Sequence, residues 1–265
     1  MAELKIMGIL NVTPDSFSDG GRYSGQDAME TQVQQMIADG AAIIDVGGES
    51  TRPFATPVSL AEELERVIPA IKTIRKIDKK IPVSIDTTKA VVAEKSLAAG
   101  ATMVNDISAL RQDAGMAEVV CSYKEPVIIM HMQGTPDTMQ IKPTYASVVD
   151  EICAFFEERL TWMAGQGIAA SRVILDPGIG FGKTLEHNLA ILKNIATFKR
   201  FGCPVLIGHS RKSFFETLMN IPLEERDCPT AIVSALCAQQ GVDILRVHDV
   251  LATQRAVHLA GALKV

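Results

Sequence analysis

Eight short aliphatic runs in this chain each end in residues that can do chemistry. KIMGILN ends in Asn11, AAIIDVGG carries Asp45 before Gly47-Gly48, and IPVSIDT carries Asp86. ATMVNDI carries Asn105-Asp106, PVIIMHM carries His131, and RVILDPG carries Asp176. PVLIGHS ends in Ser210, and DILRVHD carries Arg246 and His248. Sorted by charge, Asp86, Asn105 and Asp176 form an acidic and amide group. Lys212, Arg246 and His248 form a basic group, with Arg52 on the long segment after the second run. Carboxylates and amides pair with the edge of a flat ligand rich in N–H donors. Arg, Lys and protonated His make charge-assisted bonds to phosphate. A polar residue after a strand can also cap the next helix, but Arg and His are poor caps.

The stretch LDPGIGFGKT, 175–184, looks at first like a phosphate loop. It is not one: Pro177 stands where G-x-x-x-x-G-K-[ST] needs its first glycine, and G-x-G-x-G is not the dinucleotide fingerprint. Asp176 reads instead as a strand-end carboxylate. Gly178, Gly180 and Gly182 let the backbone turn tightly beside a flat ring, with Phe181 against that space. Lys183-Thr184 is expected to open the next helix. His131 is expected to be a structural hydrogen-bonder, His187 and His258 to be solvated, Asp45 and Glu49 to orient the loop after the second run, and Arg211 to pair with an acidic neighbour.

The elements that must hold these residues recur about every 30 residues, each a short run followed by a helical stretch such as QDAMETQVQQMIADG or SLAEELERVIPAIKTIRKI. Several end in glycine, as helix C-caps do. About eight such units in 265 residues match a (β/α)8 TIM barrel, whose chemistry sits at the C-terminal strand ends. An open doubly wound sheet is the alternative. No linker divides residues 1–265, so a single domain is expected. The chain is 47% hydrophobic but only 5% aromatic, which suits buried parallel strands built from aliphatic residues.

A net charge of −5 gives no basic face for nucleic acid, and no apolar run approaches the roughly 20 residues of a membrane helix. MAELKIMGIL lacks the pattern of a signal peptide. The five scattered cysteines form no C-x-x-C and read as reduced thiols of a cytoplasmic protein. The histidines lack H-E-x-x-H spacing, which argues against zinc.

In order, NVTPDSFSDGG, GGESTRP, SIDT, NDI, MHMQGTP, LDPGIGFGKT, SRKSF and RVHDV resemble the dihydropteroate synthases, pterin-binding enzymes of folate biosynthesis, over nearly the whole chain. The resemblance implies a barrel that joins dihydropterin-hydroxymethyl pyrophosphate to p-aminobenzoate, releasing pyrophosphate, with Mg²⁺. It also implies a homodimer built by late helices. By the same resemblance Asp86, Asn105, Asp176 and Lys212 hold the pterin, with Ile107, Met130, Phe181 and Gly208 as its walls. Asn11, Arg246 and His248 match the pyrophosphate and magnesium site, with Asn11 the metal contact and Arg52 counted in the anion group. Phe17, Thr51, Pro53, Lys212 and Ser213 match the p-aminobenzoate side and its loops. Asp86, Lys212 and Asp176 are the expected catalytic residues. Departure of pyrophosphate would leave a cation delocalised into the ring, so ionisation before attack is expected.

Three positions depart from the family pattern: Phe54 where glycine is common, His209 where a small apolar residue is usual, and CPT at 228–230 where small residues are typical. The alternatives are a methyltetrahydrofolate-dependent corrinoid methyltransferase, which would need the pterin group but no anion site, and a non-catalytic pterin-binding protein.

Overall fold

The computed structural model of the chain describes residues 4–12, 25–50, 57–135 and 138–263. Eight strands alternate with helices. The strands are β1 (Lys5–Asn11), β2 (Ile43–Gly47), β3 (Val83–Asp86), β4 (Met103–Asp106), β5 (Val127–Met130), β6 (Val173–Asp176), β7 (Leu206–Ile207) and β8 (Ile244–Val247). The helices are α1 (Gly25–Ala38), α2 (Leu60–Ile77), α3 (Ala90–Ala98), α4 (Met116–Tyr123), α5 (Val148–Gly165), α6 (Leu185–Lys193), α7 (Ile195–Phe198), α8 (Phe214–Met219), α9 (Asp227–Gln239) and α10 (Val250–Ala262).

All pairings are parallel, in the order β6-β5-β4-β3-β2-β1-β8-β7. A parallel bridge between Leu175 and Val205 joins β6 to β7, with Leu175 N–H donating to Pro204 O at 2.9 Å. The ring is therefore a closed (β/α)8 barrel, and the open-sheet alternative is set aside.

Alternation along a strand sends successive side chains to opposite faces, and here it explains both cores. One parity, including Ile6, Leu10, Ile44, Val46, Ile85 and Val247, packs outward against the helices. The other parity fills the lumen with Met7, Ile43, Met103, Ile128, Ile174, Leu206 and Ile244. One step of two residues further along four of these strands, the same parity arrives at polar side chains. Ile43 is followed by Asp45, Met103 by Asn105, Ile174 by Asp176 and Ile244 by Arg246. The apolar floor and the polar mouth are thus successive layers of one lumen. Ladder register sets Asn11 beside Gly47, Gly47 beside Asp86 and Asp86 beside Asn105.

The loop after β6 folds back over the end of β5. Gly178 has φ +72°, and a Cβ there would lie 2.0 Å from the His131 carbonyl oxygen. That oxygen is backbone and cannot rotate away. Gly178→Ala combines a left-handed backbone with this clash, so we expect a loss of more than about 3 kcal/mol. At roughly 2–4 °C per kcal/mol for a chain of this size, thermal unfolding should show a Tm lower by at least about 6 °C.

Candidate active site

The acidic and basic groups sorted from the sequence do not stand apart at the mouth of the barrel. They interlock. Arg246 Nε donates to Asp45 Oδ2 at 2.6 Å, and Nη2 donates to Asp86 Oδ2 at 2.8 Å. Asn105 Nδ2 reaches Asp45 at 3.4 and 3.5 Å. Asp45 is fully buried, so its carboxylate needs this cation. Among the described residues it bonds Arg246 and Asn105, and so orients Arg246 within the mouth. Burial disfavours the Arg246 charge, but Asp45 and Asp86 outweigh it and hold the guanidinium protonated.

Burial pushes the Asp86 carboxyl up to about 7; Arg246 opposes the rise and Asp45 adds to it. Burial also pushes Asp176 up to about 6, against the Gly178 N–H that donates to Oδ1 at 2.7 Å and the nearby Lys212 and Arg246. These two carboxyls are poised near neutrality, a frequent property of functional carboxyls. Gly208 lies between Asp176 Oδ2 and Arg246, which a Cβ would meet at 3.8 and 3.9 Å. Glycine here keeps open the space between carboxylate and guanidinium.

The apolar wall forms as one buried cluster of Ile107, Met130, Met132, Met139 and Phe181. The first, second and last are expected wall residues. Met132 and Met139 were not expected. Met132 shares the parity of Met130, a signal available in MHM; Met139 arrives from a loop and left none. The Lys212 ammonium lies 4.0 Å from the centre of the Phe181 ring, a cation–π distance.

Ser210 Oγ accepts the His248 backbone N–H at 3.2 Å and lies 2.9 Å from His248 Nδ1. Burial, with Arg211 and Arg246 nearby, pushes His248 down to about 3. His248 is therefore a neutral hydrogen-bonding group at pH 7. The imidazolium expected from the sequence is disfavoured first by burial and then by two nearby guanidinium groups. Ser213 stands exposed at the N-terminus of α8 without a side-chain cap bond. Asn11 ends β1, with Oδ1 3.6 Å from where a Gly47 Cβ would stand. Phe17, Thr51, Arg52, Pro53 and Phe54 lie outside the described residues.

Other strand-end groups are structural. Asp106 points away from the lumen and accepts the Ser108 and Leu110 N–H groups at 2.7 and 3.0 Å. Glu49 accepts the Val58 N–H at 2.9 Å, while Lys89 Nζ donates to Glu49, Val58 O and buried Glu63 at 2.7, 2.8 and 2.5 Å. That clasp joins Glu49 to Val58 across the segment after β2. Arg211 pairs with Asp227 through two bonds of 2.6 and 2.7 Å. Thr184 caps α6, with His187 completing a capping box, so His187 is engaged and not merely solvated. Among the described residues no group of three or more His, Cys, Asp or Glu could hold a metal ion.

A closed barrel with buried carboxylates, an amide and an apolar wall around one mouth is built to grip a flat, polar heterocycle. A family model described as pterin binding enzyme matches residues 7–248. The chain is 45% identical over 259 residues to the dihydropteroate synthase of Synechocystis sp. (strain ATCC 27184 / PCC 6803 / Kazusa), spanning 97% of this chain and 89% of the relative. It is similar to the solved Yersinia pestis dihydropteroate synthase in complex with a sulfonamide drug, with TM-score 0.92, 42% identity, and 98% and 94% of the two chains covered. It is also similar to the Xanthomonas albilineans enzyme with 4-aminobenzoic acid, with TM-score 0.91, 41% identity, and 98% and 93% covered. The chain belongs to the pterin-binding enzymes and, within them, to the dihydropteroate synthases.

The raised carboxyls carry a pH signature. A carboxyl whose folded pKa exceeds its unfolded value stabilises the fold below the unfolded pKa, and that stability is lost as pH rises through the folded pKa. For Asp86 and Asp176 the window runs from about 4 to about 7. Buried His131, His209 and His248, held well below the ordinary imidazole value, contribute with the opposite sign over much of this range, so the Asp86 share is read as a difference. In urea unfolding across pH 4–8, the slope of stability against pH should be more positive in Asp86→Asn than in the wild type by up to about 1.4 kcal/mol per pH unit, the value of one proton. An unchanged slope would contradict the assignment.

Proposed function

We propose that this chain condenses 6-hydroxymethyl-7,8-dihydropterin pyrophosphate with p-aminobenzoate, yielding 7,8-dihydropteroate and pyrophosphate in folate biosynthesis. The methyltransferase alternative is not favoured, since the relatives above are dihydropteroate synthases. The observation that carries the reading is the layer of Asp45, Asp86, Asn105, Asp176 and Arg246 beside the Ile107–Met130–Phe181 wall.

In this reading the pterin ring lies against the wall, with its N–H edge toward Asp176 and Asn105 and Lys212 near Phe181. The methylene C–O bond breaks and pyrophosphate leaves with the electron pair, giving a cation delocalised into the ring. Asp86 stabilises that charge electrostatically. The aniline nitrogen of p-aminobenzoate then forms the C–N bond and releases a proton. Ionisation first suits a weak aniline nucleophile. Arg246 and a neutral His248 N–H donor face the anion, with Arg52 as a further cation. Phe17, Thr51, Pro53, Lys212 and Ser213 receive p-aminobenzoate.

Asn11 offers one neutral oxygen at the mouth. That donor set fits Mg²⁺ carried mainly by substrate phosphates and water, since Mg²⁺ keeps few protein ligands in such sites. When bound, Mg²⁺ would neutralise charge on the leaving diphosphate. A cytoplasmic location is consistent with five free cysteines.

Pyrophosphate release from the dihydropterin substrate with Mg²⁺, with and without p-aminobenzoate, tests the reaction. Release coupled to dihydropteroate supports it; none from folded protein would overturn it. Asp86→Asn keeps the shape but loses the charge. Steady-state assay should show kcat lower by at least about 100-fold, roughly 2.7 kcal/mol of barrier, and pterin affinity changed far less.

A homodimer through the late helices is also part of this reading. Ile232 and Leu236 on α9 are more than half exposed, as are Leu259 on α10 and Leu263 at its C-cap, and Leu218 and Met219 stand exposed at the end of α8. Helices α9 and α10 present this apolar surface together, more than scattered exposure requires. Sedimentation should find the wild type at twice the 28.6 kDa chain mass and Ile232→Glu shifted to monomer at micromolar concentration.

A further inference from the structure

Lys183 follows the glycine loop and plays no part in the reaction above. It is only 4% exposed. Its Nζ lies 3.1 Å from His131 Nδ1, 3.3 Å from His131 O and 2.9 Å from Phe181 O. An ammonium has three N–H donors and no acceptor, whereas a neutral amine has two donors and a lone pair. Three acceptors converging on one nitrogen match the ammonium; a neutral amine would turn its lone pair toward one of them. Burial pulls Lys183 down toward about 7, and Asp176 opposes this. His131 is pushed far down by burial and the Lys183 charge. Its ring is a neutral acceptor at Nδ1, leaving the proton on Nε2.

The bonds join two segments that bear the pterin wall. His131 follows Met130 at the end of β5, and its N–H donates to Asp176 O at 2.9 Å. Phe181 sits at the tip of the glycine loop, which presses on the same strand end: a Cβ at Gly182 would lie 2.6 Å from Gln133 O. Without Lys183, the Phe181 and His131 carbonyls and His131 Nδ1 would lose a common donor in a buried place, where unpaired groups are costly.

We propose that Lys183 is a positioning residue for the pterin pocket: its buried ammonium staples the glycine loop to the end of β5 and so sets Phe181 and Asp176 against the ring. This rests on the pterin reading of the site. The bonds of the staple end on His131 and Phe181, which belong to the pterin wall and the strand end beside it. Its loss should therefore act more strongly on the pterin than on p-aminobenzoate.

Lys183→Met keeps the length of the side chain and removes the donors. Calorimetric titration with 6-hydroxymethylpterin, in the presence of Mg²⁺ and pyrophosphate, should show Kd raised at least tenfold. The KM for p-aminobenzoate at saturating pterin substrate should stay within twofold. Lys183→Gln, which keeps two donors, should recover part of the affinity, and it decides the same question should the Met variant fail to fold. His131→Leu combined with Lys183→Met should cost less pterin affinity than the product of the two single effects. A folded variant with unchanged pterin Kd, or with equal losses for both substrates, would overturn the proposal while leaving the functional reading intact. Failure of the wild-type chain to bind the pterin would overturn both.

Discussion

The Arg246 guanidinium between Asp45 and Asp86 is the constraint on which the mouth of this barrel depends. The lumen of a small barrel is filled by layers of side chains. Here the inner layer is apolar and the next carries buried carboxylates from three strands. Carboxylates so placed cannot all ionise unpaired, since a buried charge without a partner is expensive. Arg246 reaches two of them from β8 with bonds of 2.6 and 2.8 Å. Asp176 takes an N–H from its own loop and lies in the field of Lys212 and Arg246. The mouth is thus a charge network before any substrate arrives.

That network changes the meaning of the two charge groups seen in the sequence. Arg246 is not a free cation waiting for phosphate; it already bonds Asp45 and Asp86. An arriving anion shares a guanidinium whose remaining N–H groups must serve it. Any movement of Arg246 toward the anion would also raise the electrostatic demand on Asp86. The neutrality of His248 follows first from its burial and then from the same crowding, because Arg211 and Arg246 both disfavour a further positive charge. On the proposed mechanism, leaving-group binding and stabilisation of the ring cation would therefore run through one shared arginine.

Much of the barrel was legible because strand parity is local information. Ile43 and Asp45, Ile174 and Asp176, and Ile244 and Arg246 each stand two residues apart, so a lumen-facing aliphatic residue announces a lumen-facing polar one. What stayed hidden depends on which strands become neighbours or partners across the lumen. The bond between Asp45 and Arg246 spans 201 positions. Asp106 looked like a mouth residue, but its parity opposes that of Asn105. Lys183 looked like the opening of a helix. Thr184 does cap α6, but the preceding lysine turns inward, because the glycine loop brings two carbonyls and a ring nitrogen to one point.

The two departures from the family pattern in the described residues answer one another. His209 is fully buried, which a lone imidazole after an aliphatic strand would tolerate poorly. Its Nε2 donates to Thr230 O at 3.0 Å and lies 3.1 Å from Ser234 Oγ, which itself donates to Thr230 O at 2.8 Å. Thr230 belongs to the CPT segment at 228–230, and its Oγ1 takes the Arg211 N–H at 3.2 Å. A larger side chain at 209 is thus accommodated by polar groups on α9 and not by an apolar socket. This contact ties α9 to the backbone just before Ser210, the residue that holds His248. The unusual histidine extends the hydrogen-bond support of the mouth outward to the helix that carries Ile232 and Leu236.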